Sequence, residues 1–175
     1  MPIMIDLETM GTRPDAPIVS IGAVAFNADG ITREFYANVD LGSAVNSGAK
    51  IDANTVMWWM QQNDEARAAL VGKDDHYSLV GALVEFSKWM YLDPTAGVWG
   101  NGATFDNVVL REAYLRAAVP CPWPFWDDKC YRTVKSMYPS VEIDRSGTHH
   151  NALDDARTQA EHLIAINKAA GGIIL

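Results

Sequence analysis

Asp6 and Glu8 stand two residues apart in the opening stretch IMIDLETMGT (residues 3–12). In a β-strand, residues i and i+2 point to the same face, so the two carboxylates would project side by side. Like charges so placed repel each other unless a cation lies between them. Ile3, Met4, Ile5 and Leu7 surround Asp6 and argue for burial, where an unpaired acid is costly. Hard carboxylate oxygens suit Mg2+ or Mn2+. The plainer reading is a solvated acid pair at a strand edge.

Two more segments carry related chemistry. Asp106 lies in WGNGATFDNVVL (99–110), in the first turn of an expected helix. The helix dipole alone favours an acid there, so local grounds require no chemistry. Its position adds to the case: a short strand and the loop NGAT lead into it, and loops after strand ends are where α/β proteins build sites. His150 and Asp155 lie in HNALDDA (150–156), the histidine just before the last helix and the aspartate in its first turn. A histidine titrates near neutral pH and can act as general base on a nearby water.

His149 and Asp154 offer the same spacing. Ala152, Ala156, Ala160 and Leu163 form the inward stripe of the last helix. At about 100° per residue, Asp155 falls roughly 110° and Asp154 roughly 150° from the centre of that stripe, which favours Asp155. His149 is read as a solvated loop residue, and His76 and His162 as structural or surface groups. Trp58 and Trp59 cannot face the same way on a helix. One is expected in the core and the other at the site, where its ring can stack on a nucleobase.

The elements that must position these residues follow from periodicity and breakers. Residues 2–7, 18–27 and 31–39 read as three strands, with Asp29-Gly30 as a tight hairpin signal. Residues 40–53 read as loop. Asn54 or Thr55 is a candidate cap for a helix carrying Val56 to Met60, and a short helix fits 64–71. Ser78 opens an amphipathic helix with Leu79, Leu83, Phe86 and Met90 in phase. A short strand at 96–100 precedes a helix over 105–118 capped by Thr104. A last short strand at 124–127 leads to a helix ending near Met137. After a polar linker (139–149), a final helix runs from about Leu153 to Ala170 and stops at Gly171-Gly172. The expected fold is α/β, a mixed sheet flanked by helices.

The chain of 175 residues suits one domain (1–175), with 49% hydrophobic and 21% charged residues. No apolar run is long enough to span a bilayer, and no signal peptide is read. Cys121 and Cys130 read as reduced thiols of a cytoplasmic protein. A net charge of −8 argues against a tight, nonspecific duplex binder. Two bound divalent ions would halve it and reverse the field at the acids.

The segments DLET, FD and HNALDDA resemble the three motifs of the DEDDh 3′→5′ exonucleases, in that family's order and spacing, over residues 3 to about 167. IMIDLETMGTRPDAPIVSIGAVAF, TVMWWMQQ and WGNGATFDNVVL are more similar still to the small RNase AS-like exoribonuclease branch and its phage exodeoxyribonuclease relatives. The resemblance implies a ribonuclease H-like five-stranded sheet, an antiparallel meander followed by parallel strands. It implies that Asp6, Glu8, Asp106 and Asp155 hold two Mg2+ or Mn2+ ions and that His150 is the general base. Ala152 fits the His150 register and not that of His149. Candidate substrate contacts are Thr9, Met10, Trp58, Trp59, Asn101 and Phe105. The implied partner is the 3′ end of single-stranded nucleic acid, RNA by the nearer branch, with DNA as the alternative. That branch also implies a homodimer. The absence of an extra domain or tail sets the chain apart from the polymerase-associated members. Competing readings are a non-catalytic nucleic-acid-binding module and a phosphatase or cyclic-nucleotide hydrolase using the same metals.

Overall fold

The computed structural model describes residues 1–71, 76–92, 97–145, 147 and 149–175. Residue 96, the start of one expected strand, and residues 146 and 148 of the polar linker lie outside them. In chain order the elements are β1 (Ile3–Thr9), β2 (Ile18–Asn27), β3 (Gly30–Val39), α1 (Leu41–Asn46), α2 (Ala53–Met60), α3 (Asp64–Val71), β4 (His76–Tyr77), α4 (Leu79–Met90), β5 (Val98–Gly100), α5 (Asp106–Arg116), β6 (Asp128–Cys130), α6 (Tyr131–Met137) and α7 (Ala152–Ala169).

The strands form one mixed sheet in the order β4-β3-β2-β1-β5-β6. β1, β2 and β3 make the expected antiparallel meander, while β5 runs parallel to β1 and β6 parallel to β5. The sixth strand is β4, parallel to β3 at the edge. Two residues are too short to display the alternation by which a strand is read. Among the described residues, no helix is long and apolar enough to cross a membrane.

Local capping explains most of the other departures. Residues 41–46 turn helical because the Asp40 carboxylate accepts the Ser43 amide at 2.6 Å. Asp52, rather than Asn54 or Thr55, caps α2, accepting both of their amides. Thr104 does not cap α5: the amides of Phe105 and Asp106 both turn back to the Gly102 carbonyl. The expected strand at 124–127 is a 3-10 turn (Phe125–Asp127), with the strand displaced to β6. There the Asp128 carboxylate ties the chain down through Trp123 Nε1 and a bidentate Arg111.

The pleat of β1 divides the core. Ile3, Ile5 and Leu7 face α4 and α5 in a cluster with Leu83, Phe86, Leu110 and Tyr114. Met4 faces α7, against Val24, Phe26, Ala160 and Leu163. By alternation Asp6 and Glu8 share the Met4 face. α7 therefore crosses the sheet over the acids.

That crossing is close. Gly22 pairs with Asp6 across the sheet, and a Cβ on Gly22 would lie 2.2 Å from the Ala152 carbonyl carbon. Only glycine lets the first turn of α7 rest on β2. Gly22→Ala should therefore lower stability by about 1–3 kcal/mol, read as a shift in the urea midpoint. An unchanged midpoint would show that α7 does not press on β2 at this point.

Candidate active site

Asp6, Glu8, Asp106 and Asp155 line one cavity of about 310 Å³, together with His149, His150, Asn101, Phe105 and Gln159. All four acids are buried, between 4% and 9% exposed. Ligand atoms of Asp6, Glu8 and Asp155 lie within 4.8 Å of one another. Asp106 enters from the head of α5, beside the parallel pair β1 and β5. Gly100, the end of β5, makes room for it: a Cβ there would meet Asn107 Oδ1 at 2.4 Å and Asp106 Cβ at 3.0 Å.

The acids perturb one another strongly. Burial, then the charge of Asp106, pushes the Glu8 carboxyl up to about 8. Burial also raises Asp106 to about 7, against backbone amides and the nearby Arg132 charge that hold it down. Asp6 is pushed well above the usual carboxylate range by burial, Asp106 and Glu8 in that order, opposed by a hydrogen bond from Gln159. Glu8 Oε1 is buried and has no hydrogen-bond partner among the described residues. Converging buried oxygen donors, with Glu8 Oε1 unpartnered and Asp6, Glu8 and Asp106 each costly to ionise, fit a divalent cation.

The last helix separates the two aspartates. Asn151 caps α7 by accepting the Leu153 and Asp154 amides, so neither aspartate is needed as a cap. Asp154 turns to Arg157, which also holds Glu34. Asp155 turns into the cavity and pairs with the Arg145 guanidinium.

Both histidines reach the cavity. His150 takes a left-handed backbone conformation, φ +62°, a region in which histidine is enriched among non-glycine residues. Its ring stacks on His149 at 3.8 Å and meets Trp58 edge-on at 4.9 Å and Trp59 at 5.9 Å. Burial first, then cationic neighbours, lowers the pKa of both histidines, which favours the neutral, proton-accepting form. His149 is exposed and outside the described helices and strands, as expected of a solvated loop residue, but it also lines the cavity.

Trp59 is the buried member of the tryptophan pair, its Nε1 donating to the Thr9 carbonyl at 3.0 Å. Trp58 is 41% exposed. Both line a second cavity of about 530 Å³ with Glu8, Thr9, Thr55 and Phe105. Asn101 lies on the other flank of the acids. Met10 departs from the expectation: it packs with Val19, Trp59 and Ala66 rather than lining either cavity beside the acids. Opposite the Glu8–Thr9 step, β2 carries an extra residue, Val19, and Met10 packs against it.

Sequence reasoning missed Gln159 and Arg145. Gln159 Nε2 donates to Asp6 Oδ1 at 2.7 Å, which fixes one oxygen of that carboxylate. Its signal was available, one helical turn after Asp155 and so on the same face. Arg145 sits in a segment without periodicity and had none. His162 is structural, as expected: buried, its ring bridges the Tyr131 hydroxyl and the Val141 carbonyl, each at 2.7 Å.

The Rv2179c-like 3′-5′ exoribonuclease domain family matches residues 1–167, so the chain belongs to that family. The exodeoxyribonuclease of Enterobacteria phage T4 is 25% identical over 119 residues, 61% of this chain and 52% of that protein. The chain thus spans about half the length of that curated relative. The nuclease domain of 3′hExo, a DEDDh family member bound to rAMP, is similar in structure: TM-score 0.67, 16% identity, 98% of this chain and 93% of that one. Exonuclease X in complex with 5′ overhanging duplex DNA gives TM-score 0.61, 18% identity, and the same coverage of both chains. These structural likenesses establish the ribonuclease H-like fold.

The acid cluster dictates a pH dependence. Glu8 and Asp106 hold protons in the folded state that the unfolded chain gives up near its ordinary carboxylate value of about 4. That contribution to stability is full below the unfolded value and is lost as pH rises through about 7 and then about 8. The histidines act in the opposite sense, but only below their ordinary value of 6.5. Chelator-treated protein should therefore melt at a lower temperature at about pH 8.5 than at about pH 6.5. Added Mg2+ should restore most at the higher pH, because it binds only the folded site. Equal melting temperatures at both pH values, indifferent to Mg2+, would contradict a coupled acid cluster.

Proposed function

We propose that this chain, acting as one domain over residues 1–175, is a metal-dependent 3′→5′ exonuclease. It removes nucleotides from the 3′ end of single-stranded nucleic acid as nucleoside 5′-monophosphates. The observation that carries this reading is the convergence of four buried carboxylates and a histidine on one cavity, in a chain of the exoribonuclease family. Asp6, Glu8, Asp106 and Asp155 are the residues to hold two divalent ions, Mg2+ or Mn2+. Bound there, the ions supply charge stabilisation at the scissile phosphate and at the attacking and leaving oxygens.

The chain's own groups do the rest. Gln159 holds Asp6 through one oxygen and leaves the other free to coordinate. His150, kept neutral by its surroundings, takes the proton from the attacking water. Trp58 and Phe105 offer aromatic surface beside Glu8 for the terminal base. RNA is the favoured substrate on the strength of the family match. DNA is the second reading, favoured by the phage exodeoxyribonuclease. The choice turns on a contact to the 2′-hydroxyl.

Full-length protein with Mg2+ or Mn2+ should convert 5′-labelled single strands into a ladder of products shortened from the 3′ end. A protein that cleaves neither RNA nor DNA with any divalent ion is not this enzyme. Asp6→Asn should lower metal affinity and activity together. His150→Ala should lower turnover by about 10²–10⁴-fold with metal affinity nearly intact. If His149→Ala abolishes turnover and His150→Ala does not, the general base is His149. Rates on matched RNA and DNA strands decide the sugar, with RNA expected to be the faster.

A further inference from the structure

The chain has 22 acidic residues against 14 Lys and Arg, and most of the described cations are committed. Asp15 takes Arg13 and Lys50, Asp64 takes Arg67, and Asp128 takes Arg111. Arg132 and Lys135 differ. Among the described residues, neither has a carboxylate at salt-bridge distance. Both are exposed, and three residues apart on α6 they share one face.

That face has a definite position. Arg132 and Lys135 line the acid cavity and also a larger one of about 710 Å³ that adjoins it. Arg145 stands on the border of both. Among the described residues lining the larger cavity, Glu142 is the one carboxylate, and Arg145 is also held by Asp155 beside it. The guanidinium of Arg132 rests over Gly102, at the start of the loop that delivers Asp106: a Cβ on Gly102 would come 3.6 Å from Arg132 Nη2. The cavity on the opposite flank, holding Trp58, Trp59 and Phe105, has no cation in its lining and carries Glu8 and Asp52. A polyanion entering the acid site therefore has one cationic approach and one that is aromatic and acidic.

We propose that Arg132 and Lys135 form a track for the phosphates of a single strand on the 5′ side of the bond being cut, bordered by Arg145, which is itself paired with Asp155. The terminal base lies on the aromatic flank and the rest of the strand runs along α6. The 5′ direction rests on the exonuclease reading; the contact with the phosphate backbone rests on the charge pattern alone. The charge of Arg132 also eases the burial of Asp106, but that role does not require Lys135 beside it on the same face. Phosphate contacts of this type are independent of base sequence and strengthen with strand length.

Binding is measured by fluorescence anisotropy on a labelled strand of about ten nucleotides, with chelator present so that no cleavage occurs, over a range of salt. Each phosphate contact contributes about 0.7 to the slope of log K against log salt for single strands, so Arg132→Ala with Lys135→Ala should reduce the slope by about 1.4. Lys168→Ala removes another exposed cation, without a carboxylate at salt-bridge distance among the described residues, some 13 residues along α7 from Asp155, and should leave the slope unchanged. Thermal melts of each variant control for folding. In the presence of metal, the ratio of kcat/KM on the long strand to that on a dinucleotide should collapse towards one in the double variant.

An unchanged slope with an unchanged length ratio overturns the track, whatever the activity. A wild-type protein that cleaves nothing, yet binds with a slope that drops in the double variant, overturns the exonuclease reading and keeps the track. Equal loss in the Lys168 variant reduces the effect to net charge and also overturns it.

Discussion

Four carboxylates withdrawn from water into one cavity repel one another, and that repulsion is the constraint from which the rest of the site follows. Burial opposes ionisation of each acid, and ionisation of any one opposes the others. The ion-free protein answers by holding protons on Glu8 and Asp106 and by laying Arg145 against Asp155. Both devices supply positive charge where the acids demand it. A divalent cation supplies more, from a smaller volume, and satisfies the orphaned Glu8 oxygen as well. The cluster is thus unfavourable as a piece of protein alone, and a fold keeps such a feature when a ligand offsets the cost.

Holding the acids together requires a rigid frame, which the sheet provides. β1 contributes Asp6 and Glu8 through its pleat, and the parallel neighbour β5 ends where Asp106 begins. α7 contributes Asp155, and its depth over the sheet is set at Gly22. Gln159, one turn further along α7, reaches back to Asp6 and ties helix to strand by a side chain. Strand and helix are therefore locked at the point of greatest repulsion. An error in the seating of α7 would misplace Asp155 and release Asp6 together.

Alternation and capping made much of this legible from residues alone. The apolar run around Asp6 announced a buried strand, and the angular position of Asp155 on its helix separated it from Asp154. The structure agrees in turning Asp154 out to Arg157. The illegible features depend on contacts between distant segments. The bulge at Val19 of β2, opposite the Glu8–Thr9 step, leaves no mark in a run of apolar and polar residues. β4 is too short to have a period, and β6 is held by Asp128 acting through Arg111 and Trp123. Arg145 and His149 lie outside the described helices and strands, so no periodicity reports where they point. Adjacent histidines read as one residue and its neighbour, whereas the stacked rings form a unit at the site.

The distribution of charge reconciles the acidic composition with a nucleic-acid substrate. Net charge acts at a distance, but at physiological salt its reach is about 8 Å. A strand end at the cavity senses the groups within that range. On one flank these are aromatic rings, which accept a base without regard to the overall charge. On the other they are Arg132, Lys135 and Arg145. Between them the acids would be neutralised by a bound divalent cation on the proposed reading. On the proposed reading, a cationic approach beside the acids and an aromatic one opposite would let a chain with net charge −8 engage a strand end without high affinity for nucleic acid in general.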